Sequence, residues 1–146
     1  GYWCMAVQSM KPSTSIAGHE GSFSLGLIEA CLQVEIESND ALYVCHDVTM
    51  PHPINKVANV ESDYGTAMVI TGAQNSTSLA AINWKVISAS ETLSEVGINA
   101  IDKIRLGNPA ARCLPLLAQI ARNESGSVIL PYTDNQHLQV TINPCN

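Results

Sequence analysis

The sequence predicts an α+β domain: a mostly antiparallel sheet of about six to eight strands, with one central helical pair at about 89–106 and 109–123 packed on it. Three observations lead there. Short segments alternate apolar and polar residues with the period of a half-buried strand. A capping sequence, Ser88-x-x-Glu91, precedes apolar residues at helical spacing. No stretch repeats at a fixed period and no low-complexity linker divides the chain, so 1–146 reads as a single domain.

In chain order, Trp3 to Val7 reads as an edge strand, and Lys11 to Ser15 with the Gly18-His19-Glu20-Gly21 turn reads as loop. Leu32, Val34 and Ile36 alternate with Gln33, Glu35 and Glu37, which predicts a strand; Leu25 to Cys31 either extends it or forms a short helix. Ser38-Asn39-Asp40 turns the chain into a second strand, 41–47. Pairing Ile36 with Leu42 places Leu32, Val34, Ile36, Leu42 and Val44 on the core face, with Cys31 and Cys45 diagonal neighbours on the other. After Met50-Pro51-His52-Pro53, segments 56–61 and 66–71 suggest another hairpin around Gly65, and 79–87 a further strand with Ile82, Trp84 and Val86 alternating.

The helix expected from Ser88 carries Leu93, Val96, Ala100, Ile101 and Ile104 on one stripe and stops at Gly107-Asn108-Pro109. A second helix follows, with Leu114, Leu116, Leu117 and Ile120 as its apolar set and a kink or break at Pro115. The chain closes on a hairpin, 127–132 and 138–142; pairing Leu130 with Val140 puts Val128, Tyr132, Leu138 and Ile142 on one face.

Composition narrows the function classes. The 146 residues are 46% hydrophobic and only 14% charged, against roughly 25% charged in typical soluble domains. Seven Lys and Arg are scattered in a chain of net charge −6, so no basic stripe is available to neutralise phosphates, and nucleic acid is not an expected partner. No apolar run reaches the length of about 18 residues that a membrane helix requires, so membrane insertion is not expected either. The chain starts Gly1-Tyr2-Trp3-Cys4 without Met, as it would after removal of a leader, an anchor or a larger parent, or with a leftover tag residue.

Five cysteines, none in a CxxC pair, point to disulfides and an oxidising compartment, extracellular or cell surface with the periplasm as the other fitting location; the alternative is five buried, reduced cysteines in a cytosolic protein. Hairpin geometry proposes Cys31 with Cys45. Cys4 with Cys145 would tie the two ends together, contributing on the order of 4 to 5 kcal/mol in the chain-entropy picture. Cys113 is left as a free or intermolecular thiol.

Candidate chemistry concentrates at 45–52, where Cys45, His46, Met50 and His52 form a set a soft metal could use. Adjacent strand residues point to opposite faces, which argues against it. The same thiol and imidazoles, with Asp47, can be drawn as nucleophile, base and orienting acid, but no Gly-rich elbow follows Cys45. Glu29, Glu35 and Glu37 fit a solvated face; His19-Glu20 and His137 are isolated turn residues without a motif. Asn75 and Asn123 satisfy the N-glycosylation pattern, which matters in a eukaryotic or viral protein.

Low charge, abundant Ser, Thr and Asn and open strand edges favour a non-enzymatic, secreted or surface structural or adhesion protein, a subunit of a filament, pilus or coat. Its expected partners are copies of itself or another surface protein, with no cofactor. The alternatives are a small-ligand-binding module with a pocket between helices and sheet, and, more weakly, a metal-dependent or thiol hydrolase centred on 45–52.

Overall fold

The computed structural model describes residues 2–56 and 60–145. Among the described residues it shows an α+β arrangement in which five strands form two small sheets rather than one large one. Four α-helices lie among the same residues: α1 (Tyr2–Ala6), α2 (Ser22–Glu37), α3 (Asn99–Gly107) and α4 (Leu114–Ala121). The strands are β1 (Ala41–Asp47), β2 (Tyr64–Ile70), β3 (Ala80–Ser88), β4 (Gly126–Thr133) and β5 (Gln136–Pro144). β1 pairs antiparallel with β2, and β3, β5 and β4 form an antiparallel sheet in that order.

The largest correction concerns 22–37, where the expected strand is a 16-residue helix. Its buried set is Phe23, Leu27, Ala30 and Val34, spaced by four, three and four residues as one helical face requires. The alternating residues that suggested a strand lie near its solvated end: Leu32 is 38% exposed and Ile36 79%. Ser38 closes the helix in the left-handed region, φ 54°, returning its N–H to the Val34 carbonyl. With no strand at 32–37, β1 takes β2 as partner. Tyr43 and Cys45 turn toward the core, while Leu42 and Val44 are 57% and 51% exposed, the reverse of the expected facing. The N-terminal edge strand is also absent: 2–6 is helical. Of the expected strand at 56–61, residues 57–59 lie outside the described residues, and 54–56 form a 3-10 turn.

The first member of the helical pair begins at Asn99, not near Ser88. Ser88 ends β3, and the following segment runs beside β4. There the Ser94 N–H donates to the Ile129 carbonyl and the Ile129 N–H to the Ser94 hydroxyl, both at 2.9 Å. Gly97, at φ +79°, makes the turn that precedes α3, and Asp102 accepts the Val96 and Gly97 N–H groups. The second member divides into a 3-10 turn, Pro109–Cys113, and α4, with Pro115 in the first turn of the latter, where its missing N–H costs nothing.

The closing hairpin forms, with Leu130 opposite Leu138 and Val128 opposite Val140. That register is two residues from the expected one, which leaves the facing intact because side chains alternate with period two. Val128, Leu130, Leu138, Val140 and Ile142 join Phe23 and Leu27 of α2, Cys45 of β1, and Ala110, Cys113 and Leu116 in one buried cluster. Asn108 is fully buried at its rim. Its amide donates to the carbonyls of Asp47 and Ser62, and its oxygen accepts the Ala110 N–H, so one side chain joins the ends of β1, the turn before β2 and the 109–113 turn.

Candidate functional site

Four described non-glycine residues have positive φ: Gln8, His19, Ser38 and Asn123. Ser38 and Asn123 follow the C-termini of α2 and α4, and Gln8 follows α1, where a left-handed residue is an ordinary way to stop a helix. His19 is different, because it lies before a helix. At φ +49° it opens the 3-10 turn His19–Gly21 that leads directly into α2. A non-glycine residue in this region costs of order 1–3 kcal/mol and persists where its surroundings fix it.

This elbow is held from several directions. The Ser22 hydroxyl accepts the Gly18 N–H at 2.9 Å and donates to the His19 carbonyl at 2.8 Å. Gly21 is buried against β4 so closely that a Cβ there would run into the Tyr132 carbonyl, so only glycine fits. Glu20 forms an ion pair with Arg112 of the 109–113 turn, and the same guanidinium donates to the Leu106 carbonyl at 3.4 Å. In the first turn of α2, the Phe23 carbonyl accepts the Tyr43 hydroxyl at 2.8 Å, and the Tyr43 ring lies over Gly26, where a Cβ would come within 2.7 Å of it. His19 itself is exposed. The elbow therefore presents an exposed histidine one short turn ahead of α2.

The sequence-predicted site residues are dispersed. Cys45 points into the core, His46 points from the outer face of β1, and Met50 and His52 lie exposed in the segment that follows. Among the described residues no group of three His, Cys, Asp or Glu side chains is placed to hold a metal ion. All five cysteines are free, which overturns the disulfide reading; the pairing of Cys31 with Cys45 rested on a hairpin that does not form, since Cys31 belongs to α2. Asn75 and Asn123 sit exposed in a loop and after α4.

The thiols are not set up as nucleophiles. Burial pushes Cys113 up to about 12, with the Tyr64 hydroxyl 3.6 Å from its sulfur and its S–H directed at the Ala110 carbonyl. Burial also raises Cys45 and Cys31. Cys4 alone is shifted down, by the Ser13 hydroxyl 3.5 Å away, and it lies on α1. Tyr43 and Tyr64 are raised by burial and stay neutral.

A cleft of about 490 Å³ opens beside α3, lined by Glu61, Glu95, Asp102, Lys103 and Arg105. It is polar and lies outside the helix–sheet boundary where a ligand pocket was expected; that boundary is filled by the apolar cluster. Arg105, 4% exposed, is held by Asp102 at 2.6 Å and reaches Glu95 at 3.6 Å, so this group of charges serves the turn before α3.

Sequence reasoning passed over His19 and Glu20 because backbone strain leaves no mark in composition, and Arg112 is 92 residues away from its partner. The available signal was Gly-His-Glu-Gly placed directly before the 23, 27, 30, 34 helical set.

A family model described as beta-ketoacyl synthase, N-terminal domain, matches residues 1–125. No curated protein and no solved structure matches the chain. The family match points to a fatty-acid or polyketide synthase-type enzyme and overturns the expectation of a secreted structural or adhesion subunit. Family members are typically cytoplasmic biosynthetic enzymes, which conflicts with an extracellular, surface or periplasmic location and with the disulfide-bonded character drawn from the cysteine count. That count misled because free cysteines pack as small hydrophobes, as Cys45 and Cys113 do here. With 125 of its 146 residues matched, the chain belongs to the beta-ketoacyl synthase N-terminal domain family.

Proposed function

We propose that the chain takes part in carbon–carbon bond formation between two acyl thioesters, and that the His19 elbow at the head of α2 is where the acyl groups meet. The family match over residues 1–125 supports the reaction class, and the left-handed His19 ahead of α2 is what singles out the elbow. A β-ketoacyl product forms when the α-carbon of one thioester attacks the carbonyl carbon of another. The α-proton goes to a base, the C–S bond of the second thioester breaks, and a thiol leaves. Such a step needs a proton acceptor and donors for the oxygen that becomes negative. On this reading His19 is the proton acceptor and the first turn of α2 the source of donors.

The test uses the purified chain with two acyl thioesters, one carrying an isotopic label, and mass spectrometry of the products. A labelled β-ketoacyl thioester is expected, with its rate falling on the order of 10²-fold or more in His19→Ala. Absence of the product, or an undiminished rate in His19→Ala, refutes the assignment.

A further inference from the structure

We propose that two copies of this chain pair through the open edge of β3, antiparallel about a two-fold axis at Trp84, joining their three-stranded sheets into one. In the order β3-β5-β4 the two outer strands differ in how their edges are treated. β4 carries Pro131, shifts register between Pro131 and Thr133, and is met by the segment at Ser94, which exchanges hydrogen bonds with Ile129 in both directions. Each of these closes an edge to another strand. β3 has none of them: it runs nine residues, Ala80–Ser88, in unbroken register with β5 and contains no proline.

The backbone groups left open follow from the register. An antiparallel strand bonds a given neighbour at every second residue, and the residues between turn their N–H and C=O the other way. Just before β3 the Cys145 N–H donates to the Leu79 carbonyl at 3.0 Å, and just after it the Ala89 N–H donates to the Asn135 carbonyl at 3.2 Å. The odd-numbered positions therefore face β5, in agreement with Pro144, which has no N–H to give, standing opposite Ala80. Ala80, Ile82, Trp84, Val86 and Ser88 face the open edge, and their backbone groups make no hydrogen bond there among the described residues. Another strand is what satisfies such a row in full.

Charge and symmetry select a second copy as that strand. The chain has net charge −6, yet β3, β4 and β5 contain no Asp or Glu, and Lys85 is their one Lys or Arg. Two like-charged chains can therefore meet at this edge without setting carboxylates against each other. A two-fold axis at Trp84 places Ile82 of one copy opposite Val86 of the other, Ala80 opposite Ser88 and Lys85 opposite Asn83. Every outward residue then bonds, and the two lysines are not set directly opposite each other. Val86, 39% exposed, gains an apolar neighbour. The operation uses one edge twice, as an isologous contact must, so this contact stops at two copies.

The experiment is sedimentation equilibrium of the whole chain from about 1 to about 500 μM, in reductant so that no disulfide links copies, beside amide hydrogen exchange at both ends of that range. The mass is expected to rise toward twice that of the chain. Exchange at the Ile82, Trp84 and Val86 N–H groups is expected to slow about tenfold or more at the higher concentration, with Val140 unchanged. Val86→Pro removes an N–H that β5 does not use, and Val86→Lys sets a charge opposite Ile82. Each is expected to weaken association about tenfold or more while keeping the circular dichroism of the parent. A single-chain mass throughout, protection that arises on β1 or β2 instead, or undiminished association in the variants that fold overturns the pairing. If Val86→Pro does not fold, Val86→Lys and the exchange of the wild-type chain decide.

Discussion

The hydroxyl of Tyr43, at the centre of β1, donates to the carbonyl of Phe23 in the first turn of α2 at 2.8 Å, while its ring stacks obliquely on the Phe23 ring with centroids 5.5 Å apart. Tyr43→Phe keeps the ring and deletes the bond. The expected loss is about 1 kcal/mol, or roughly 3 to 5 °C in Tm for a chain of this size. Thermal denaturation followed by circular dichroism checks it; an unchanged Tm would show that the Phe23 carbonyl finds another donor.

Asn108 and Ser24 make a contrasting pair. Asn108 is buried and engaged in three hydrogen bonds across three segments, so Asn108→Ala leaves buried groups unpaired and should cost about 2 to 4 kcal/mol. The Ser24 hydroxyl, within α2, is buried with no hydrogen-bond partner. Ser24→Ala removes an unsatisfied group and improves helix propensity, so a gain of about 0.5 to 1 kcal/mol is expected. Urea unfolding of the two variants should move the midpoint in opposite directions.

Acid should loosen the turn before α3. Arg105, then the Val96 and Gly97 N–H groups, hold the Asp102 carboxyl below the ordinary carboxylate range, and Asp63 is lowered in the same way by the Thr49 N–H and hydroxyl. A depressed folded-state pKa stabilises the fold above the unfolded value of about 3.9 and loses that contribution as pH falls through the folded value. Tm measured from about pH 7 down to about pH 2 should therefore drop on its acid limb, and less steeply in Asp102→Asn, which starts lower at neutral pH. Parallel limbs in the two proteins would remove Asp102 as a contributor.

The thiols should separate by reactivity. Near pH 8, where an unperturbed thiol with a pKa of about 8.5 is partly ionised, Cys4 is expected to react first with a thiol reagent. Cys45 and Cys113, buried and raised, should react only as fast as the protein unfolds. Intact mass should be the same with and without reductant, because all five cysteines are free. Labelling of Cys113 at the rate of Cys4 would contradict the packing at Tyr64.

The strands that alternate cleanly were legible: 41–47, 80–88 and the 126–144 hairpin follow from period two, whereas Pro115 lies in the first turn of α4 and not in a helix interior. Two errors have specific causes. In α2, three apolar residues at period two near a solvated helix end outweighed a longer set at helical spacing, 23, 27, 30 and 34. At Ser88 a good local capping sequence lost to pairing of Ser94 with Ile129, a contact between residues 35 apart. The elbow was illegible for the same reason, since Gly21 packs on Tyr132 and Glu20 pairs with Arg112, both remote in the chain.

The contact of Gly21 with Tyr132 has a further consequence for where this protein can be cut. The family match ends at residue 125, but Tyr132 and the core residues Val128, Leu130, Leu138, Val140 and Ile142 come after it. A fragment trimmed to the matched segment would lose the wall against which the head of α2 is seated and nearly half of the buried cluster. Expression boundaries drawn at the end of the match would therefore remove part of the core, so they should keep β4 and β5.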